Sequence, residues 1–213
     1  APPARGRAPG LFPPVHDLRA LRTSRNRNLI TVDEQSILYD GVVAVFGMSV
    51  GSNVVEALVS QGISGKLILV DMDIIEPSNL NRIRATYQEV GVHKADAIAK
   101  KISEMDPYLK QVHYREGLND NNLAEIIRVH RPHVLVDEMD DIHMKLQVRI
   151  AAKKNKLPVV MATDDGDNAL VDIERYDINP ELEYFSGRIP GQIIDDIKNN
   201  RLSRAQIGML IGK

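Results

Sequence analysis

Val42-Val43-Ala44-Val45-Phe46-Gly47-Met48-Ser49-Val50-Gly51-Ser52 joins one structural element to the next. Its first five residues are all apolar and rich in β-branched side chains, which is what a strand covered on both faces requires. The Asp40-Gly41 turn precedes them. Residues 47–52 then open a helix over 53–61, with Val54, Val55, Leu58 and Val59 on one stripe. Gly62 closes that helix, and Lys66-Leu67-Ile68-Leu69-Val70 is a second buried strand.

The same alternation continues downstream. Residues 94–105 carry Ala95, Ile98, Ile102 and Met105 at helical spacing, and Asp106-Pro107 stops the helix. A strand is expected over 111–116, a helix around Leu123, Ile126 and Ile127, and a strand over 133–136. Ile142, Leu146 and Ile150 mark a helix over 142–155, followed by strands over 158–163 and 169–176. Repeated β-α-β units with short connections imply an α/β fold: a doubly wound, mostly parallel Rossmann-like sheet with helices on both faces. Such sheets bind ligands at the carboxyl ends of their strands.

The flanks are less regular. Residues 1–14 carry Pro and Arg without an apolar core, which suits a flexible arm and not a secretory signal. Residues 22–28 are basic and polar, and 32–38 form a short helix. Beyond Asn179 the pattern decays into Pro, Gly and short charged helices over 192–199 and 203–211. The expected division is an arm with a short helix (1–40), a nucleotide-binding domain (41–178) and a helical tail or the start of a further segment (179–213).

Composition narrows the function. With 43% hydrophobic and 26% charged residues, the 213-residue chain has the make-up of one soluble globular domain. A formal net charge of -2 gives no pull toward nucleic acid or a membrane surface. No apolar run approaches the roughly 18 residues of a membrane span, so a cytoplasmic location is expected. The sequence has no cysteine, which removes disulfides, thiolate zinc sites and a cysteine nucleophile from these residues.

The loop Gly47-Met48-Ser49-Val50-Gly51-Ser52 stands where a phosphate can lie against a helix N-terminus and its free N–H groups. Asp71, 24 residues after Gly47, ends the second strand, where a carboxylate can accept hydrogen bonds from ribose hydroxyls. Ser49 and Ser52 occupy the second and third glycine positions of G-x-G-x-x-G, and Gly51 is out of frame. On this loop alone, a ligand-free β-α turn and an NAD-dependent oxidoreductase are competing readings.

The segment after the second strand discriminates between them. Asp71-Met72-Asp73-Ile74-Ile75-Glu76-Pro77-Ser78-Asn79-Leu80-Asn81-Arg82 follows the pattern D-x-D-x-I/V-E-x-S-N-L-x-R. It resembles the signature of the ThiF/MoeB/HesA family, relatives of the adenylation domains of ubiquitin-activating enzymes. Val90-Gly91-Val92-His93-Lys94-Ala95 resembles the family's V-G-x-x-K-A, and Asp137-Glu138-Met139-Asp140-Asp141 its D-x-x-D-N, with Asp141 in place of Asn. Ser24-Arg25-Asn26-Arg27-Asn28 is similar to the family's R-x-x-R-Q arm, which lends an arginine to the partner subunit. The resemblance runs from about residue 22 to 168 with its motifs in order.

That resemblance implies ATP and Mg²⁺ as cofactors. Gly47, Ser49 and Gly51 would form the phosphate loop, and Asp71, with Asp73 beside it, would hold the ribose. Asn79, Arg82 and Lys94 would meet the phosphates, Asp140 would organise Mg²⁺, and Arg25 or Arg27 would act across a homodimer. The implied reaction is adenylation of a carboxylate on an acceptor protein, peptide or small molecule, without a catalytic cysteine in these residues. A degenerate, partner-supporting subunit is the alternative within the family. The S-N-L-x-R loop and the lack of an evident hydride-site acid–base pair stand against the oxidoreductase.

Other polar features read more simply. His130 and His133 are three apart without further ligands and are loop residues. The acidic run at 164–167 is a surface turn, and Lys153-Lys154-Asn155-Lys156 is a solvated helix end. Asp137 either caps the next helix or lines a strand end.

Overall fold

The computed structural model describes residues 13–165 and 167–211. Its six strands are β1 (Val42–Phe46), β2 (Lys66–Val70), β3 (Lys110–Tyr114), β4 (Val134–Asp137), β5 (Pro158–Asp165) and β6 (Asn168–Arg175). They form one sheet in the order β3-β2-β1-β4-β5-β6. The first five are parallel, and β6 returns antiparallel on β5. The strand order reverses between β1 and β4, which opens a crevice at their carboxyl ends. Phe46 is in register with both Val70 and Asp137, so the chain leaves β1, β2 and β4 at one level.

The apolar run at 42–46 is buried on both faces, for the reason its composition suggests. Val43 and Val45 pack with Val55 and Val59 of helix α3 (Val50–Ser60) and Ala95, Ile98 and Ile102 of α4 (Lys94–Met105). Ala44 and Phe46 point the other way, into a cluster with Leu123 of α5 (Asp120–Glu125) and Val148 and Ala152 of α6 (Ile142–Asn155). Alternation along one strand thus feeds two cores.

The flanks depart from the sequence expectation. Residues 15–22 form a helix, α1 (Val15–Arg22), absent from that expectation; Val15, Leu18 and Leu21 stand three apart along it, and none of its residues is buried. Arg22 ties it down: Nη1 lies 2.7 Å from Asp106 Oδ2 and Nη2 donates to the Val59 carbonyl at 2.7 Å. Helix α2 (Val32–Tyr39) starts at Thr31 with a capping box to Glu34. Residues 1–12 of the expected arm lie outside the described residues. At the other end, α7 (Gly191–Lys198) and α8 (Arg204–Ile211) pack on α6, where Ile142 and Leu146 meet Phe185, Ile194 and Ile197. Among the described residues no helix is long and apolar enough to cross a membrane.

Candidate functional site

Asp71 is the first residue beyond β2 and is 8% exposed. Its Oδ2 accepts the Met48 N–H at 2.5 Å and its Oδ1 the Asp73 N–H at 2.7 Å. One carboxylate therefore fixes the glycine loop against the loop that follows β2. Burial pushes its pKa above the usual carboxylate value, and the two backbone donors and the Lys94 charge hold it down.

The glycine loop needs Gly47 for a steric reason. Its φ is +88°, and a Cβ there would sit 2.4 Å from the Glu138 carbonyl oxygen. Gly51 serves differently from the sequence expectation. It lies in the first turn of α3, where a Cβ would meet Val45 Cγ1 at 2.9 Å, so its missing side chain lets α3 approach β1. Ser49 is the N-cap of α3 but makes no side-chain cap bond, which leaves the first-turn N–H groups available to an anion.

Lys94, the first residue of α4, is 7% exposed and reaches back to this loop. Its ammonium donates to Asp73 Oδ2 at 2.8 Å and to Ser49 Oγ at 3.3 Å. Its own N–H donates to the Asp73 carbonyl at 2.9 Å. A cavity of about 220 Å³ opens beside it, with Met48, Ser52, Ile83 and Arg84 in its lining. Ser49, Asp71, Asp73 and Lys94 are thus brought together.

Asn79 and Arg82 lie in the turn that follows Asp73, and among the described residues no hydrogen bond or ion pair joins either side chain to Ser49, Asp71, Asp73 or Lys94. Asn79 is buried, and its Oδ1 accepts the Glu76 N–H at 3.0 Å, closing a capping box on the short turn Pro77–Asn79. The exposed Arg82 folds onto its own turn, donating to the Ser78 carbonyl at 3.1 Å and Asn81 Oδ1 at 3.2 Å. The structure does not bring the Arg82 guanidinium to Lys94. Its carbonyl accepts from Asn53 Nδ2 at 3.4 Å, which hinges the turn to α3.

On the other side of the crevice, Asp140 is exposed in the β4–α6 turn. Asp141 caps α6, with Oδ1 accepting the His143 and Met144 N–H groups at 2.9 and 3.1 Å. Asp141, in place of the Asn of the family pattern, therefore serves as a helix cap, a role for which Asp and Asn are about equally suited. Asp137 is a strand-end residue, not the cap: fully buried, it contacts Arg149 Nη1 at 2.5 Å.

Arg25 and Arg27 are exposed in a 3-10 turn, Ser24–Asn28, and neither makes an ion pair among the described residues. Asn26 anchors that turn to the Gln61 carbonyl at 2.9 Å. Gln61 lies at the end of α3 remote from Ser49, about 18 Å along the helix. Neither arginine belongs to the site of its own chain.

The sequence reasoning missed the Asp137–Arg149 pair. Arg149 stands three residues after Leu146 on the buried stripe of α6, and a charge at a core-facing helical position was the available signal.

The chain is similar to known proteins over most of its length. The model of the ThiF family matches residues 23–167. An uncharacterized protein of Mycobacterium tuberculosis, MT1398, is 38% identical over 88% of this chain and 25% of its own length. The sulfur carrier protein adenylyltransferase of Thermus thermophilus is 32% identical over 56% of this chain and 43% of its own. The tRNA threonylcarbamoyladenosine dehydratase of Escherichia coli is 31% identical over 76% of this chain and 59% of its own. The crystal structure of that dehydratase in complex with ATP matches with a TM-score of 0.67 at 26% identity, over 72% of this chain and 63% of that one. The chain spans between a quarter and about three fifths of the length of these curated relatives. A family match over more than half of the chain, with its motifs at the strand ends where a nucleotide would lie, shows that this chain belongs to the ThiF family.

Proposed function

We propose that this domain binds ATP with Mg²⁺ at the carboxyl ends of β1, β2 and β4 and adenylates a carboxylate. The observation that carries the proposal is Lys94, whose buried ammonium touches Ser49 of the phosphate loop while Asp71 holds the same loop through Met48. A cation, free N–H groups and a ribose-binding carboxylate then line one crevice, as a nucleoside triphosphate requires.

In the reaction proposed, an oxygen of the substrate carboxylate attacks the α-phosphorus. The bond from that phosphorus to the bridging oxygen breaks, giving acyl-AMP and pyrophosphate. The protein's task is positioning and charge stabilisation. Asp71 accepts from the ribose hydroxyls, the first turn of α3 and Lys94 hold phosphate oxygens, and an arginine of a partner's arm (Arg25 or Arg27) adds charge. Arg82 joins the phosphates only if its guanidinium leaves the Ser78 carbonyl and Asn81.

Asp140 fits a Mg²⁺ role, because Mg²⁺ takes one or two carboxylates together with nucleotide phosphates and water. The described residues hold no group of three or more His, Asp or Glu that could cage a metal alone. When bound, Mg²⁺ would neutralise charge on the phosphates. The acceptor is a protein, peptide or small-molecule carboxylate. No thioester forms on these residues, since the sequence has no cysteine. A homodimer in the cytoplasm completes the proposal.

ATP–pyrophosphate exchange across a panel of carboxylate acceptors tests it, together with thermal shift. Stabilisation by ATP–Mg²⁺ and not by NAD is the expected result. The outward-turned Arg82 favours one rival, a partner-supporting subunit that binds ATP without turning it over. ATP binding with no exchange on any acceptor would establish that rival.

A further inference from the structure

Arg149 is fully buried in the middle of α6, between two buried carboxylates. Its Nη1 lies 2.5 Å from Asp137 Oδ2, and its Nε lies 2.7 Å from Glu174 Oε2 as a close ion pair without aligned hydrogen-bond geometry. Its guanidinium is stacked 4.1 Å from the centre of the Phe185 ring. Lys145 Nζ, 3.5 Å from Asp137 Oδ1, balances the second carboxylate.

Both ends of this network reach further. Asp137 Oδ1 accepts the Met139 N–H at 3.3 Å, inside the turn that carries Asp140. The other oxygen of Glu174, Oε1, accepts the Phe185 N–H at 2.7 Å and the Tyr176 hydroxyl at 2.6 Å. Phe185 and Ser186 adopt φ of +55° and +52°, a left-handed backbone disfavoured for such residues. Ser186 and Arg188 are held by the buried Asp172. The C-terminal segment is therefore fastened to the same charges that grip the β4–α6 turn.

Stability alone is a poor account of this arrangement. Removing two carboxylates and a guanidinium from water carries a large desolvation cost, and well-packed apolar residues would serve a core at least as well. What an ion network gives is a fixed geometry. Glu174 and Phe185 also lie beyond residue 167, where the family match ends.

We propose that Arg149, braced by Glu174 and Phe185, is a positioning residue that sets the Glu138–Asp141 turn, so that docking of the C-terminal segment tunes the site's grip on Mg²⁺–ATP. The Mg²⁺ part of this rests on the proposed role of Asp140; the coupling to the turn does not.

The test is Glu174→Gln in the full chain, with two readouts. Hydrogen exchange should show the amides of 139–144 accelerated about tenfold beyond the sheet amides. The Mg²⁺ concentration that half-saturates ATP binding should rise about tenfold, the scale of an outer-shell loss, with Mg²⁺-free ATP affinity unchanged. Arg149→Lys keeps the charge but not the fork, and should not restore either readout. Uniform acceleration of all amides, or unchanged exchange at 139–144, overturns the proposal. If Asp140→Asn leaves the Mg²⁺ dependence untouched, the Asp140 reading has failed, and hydrogen exchange alone decides the coupling. Should Glu174→Gln not fold, Phe185→Leu, which uncovers the guanidinium, is judged by the same readouts.

Discussion

Lys94 Nζ lies 2.8 Å from Asp73 Oδ2, so the cation that touches the phosphate loop at Ser49 is also paired with a carboxylate. Lys94 is buried while Asp73 is more than half exposed, so the carboxylate is free to swing toward water when a phosphate takes its place. Charge on the pyrophosphate leaving group grows in the transition state, and a cation held at that point acts mainly there. Lys94→Ala is expected to slow pyrophosphate exchange on the order of 10²-fold. ATP affinity measured by calorimetry should change far less. A loss confined to affinity would assign Lys94 to ground-state binding.

Asp71 supplies a pH prediction. Burial raises its pKa in the free protein, and ribose hydroxyls that donate to it favour the ionised form. ATP binding therefore lowers this pKa. The contribution is fully present above the free-protein pKa and is lost as pH falls from there through the lower pKa of the bound state. The fall should begin at higher pH than for an ordinary carboxylate. Asp71→Asn should weaken ATP by about 1–3 kcal/mol at neutral pH, through loss of a charged acceptor. The variant should also lose this acid limb, so the difference between the two titrations isolates Asp71 from protonation of the nucleotide. Parallel curves would remove it from the ribose site.

Two glycines of one loop should respond unequally. Gly47→Ala combines a positive φ with a Cβ 2.4 Å from a backbone oxygen that cannot move without disturbing β4. A loss of about 3 kcal/mol or more in denaturant melts, with loss of ATP binding, is expected. Gly51→Ala meets only the tip of Val45, at 2.9 Å. Its cost should be about 1–2 kcal/mol, of the overpacking kind, with nucleotide binding retained.

What was legible in the sequence follows from how each feature is encoded. The strand at Val42–Phe46 declares itself because both faces are apolar, and the motif loops declare themselves because they are contiguous. Helix α1 is only eight residues long, too short for the spacing of Val15, Leu18 and Leu21 to stand out beside the basic residues around it. The direction of Arg82 depends on the torsions of one turn, which residue types do not specify. The Asp137–Arg149–Glu174 network joins β4, α6 and β6, and no local pattern links positions that far apart. Gly51 looked like a phosphate-loop glycine, yet its contact with Val45 is what requires a glycine there.

The partner arm is tested by oligomeric state. Arg25 and Arg27 sit at the far end of α3 from their own site, so they can serve a nucleotide only in another copy. Light scattering should show the mass of a dimer, for which a twofold contact is the expected arrangement. Mixing Arg25→Ala/Arg27→Ala chains with Lys94→Ala chains should recover exchange above either parent, because one mixed site keeps every group. No recovery in a proven heterodimer would leave the arm without a catalytic part.

The adjacent aspartates Asp140 and Asp141 separate a metal role from a structural one. Asp141 accepts two N–H groups at the start of α6, and Asn caps a helix about as well as Asp. Asp141→Asn, which restores the family residue, should therefore melt within a few tenths of a kcal/mol of the parent and keep its Mg²⁺ dependence. Asp141→Ala should cost about 1 kcal/mol, because both amides lose their acceptor. Asp140 is exposed and caps nothing, so Asp140→Asn should leave stability unchanged within about 0.5 kcal/mol. It should nevertheless weaken Mg²⁺-dependent ATP binding and exchange, since a neutral amide is a poor ligand for a hard cation. Thermal melts with and without ATP–Mg²⁺ on the three variants distinguish the roles. If Asp141→Asn moves the Mg²⁺ dependence and Asp140→Asn does not, the metal ligand is Asp141 and not Asp140.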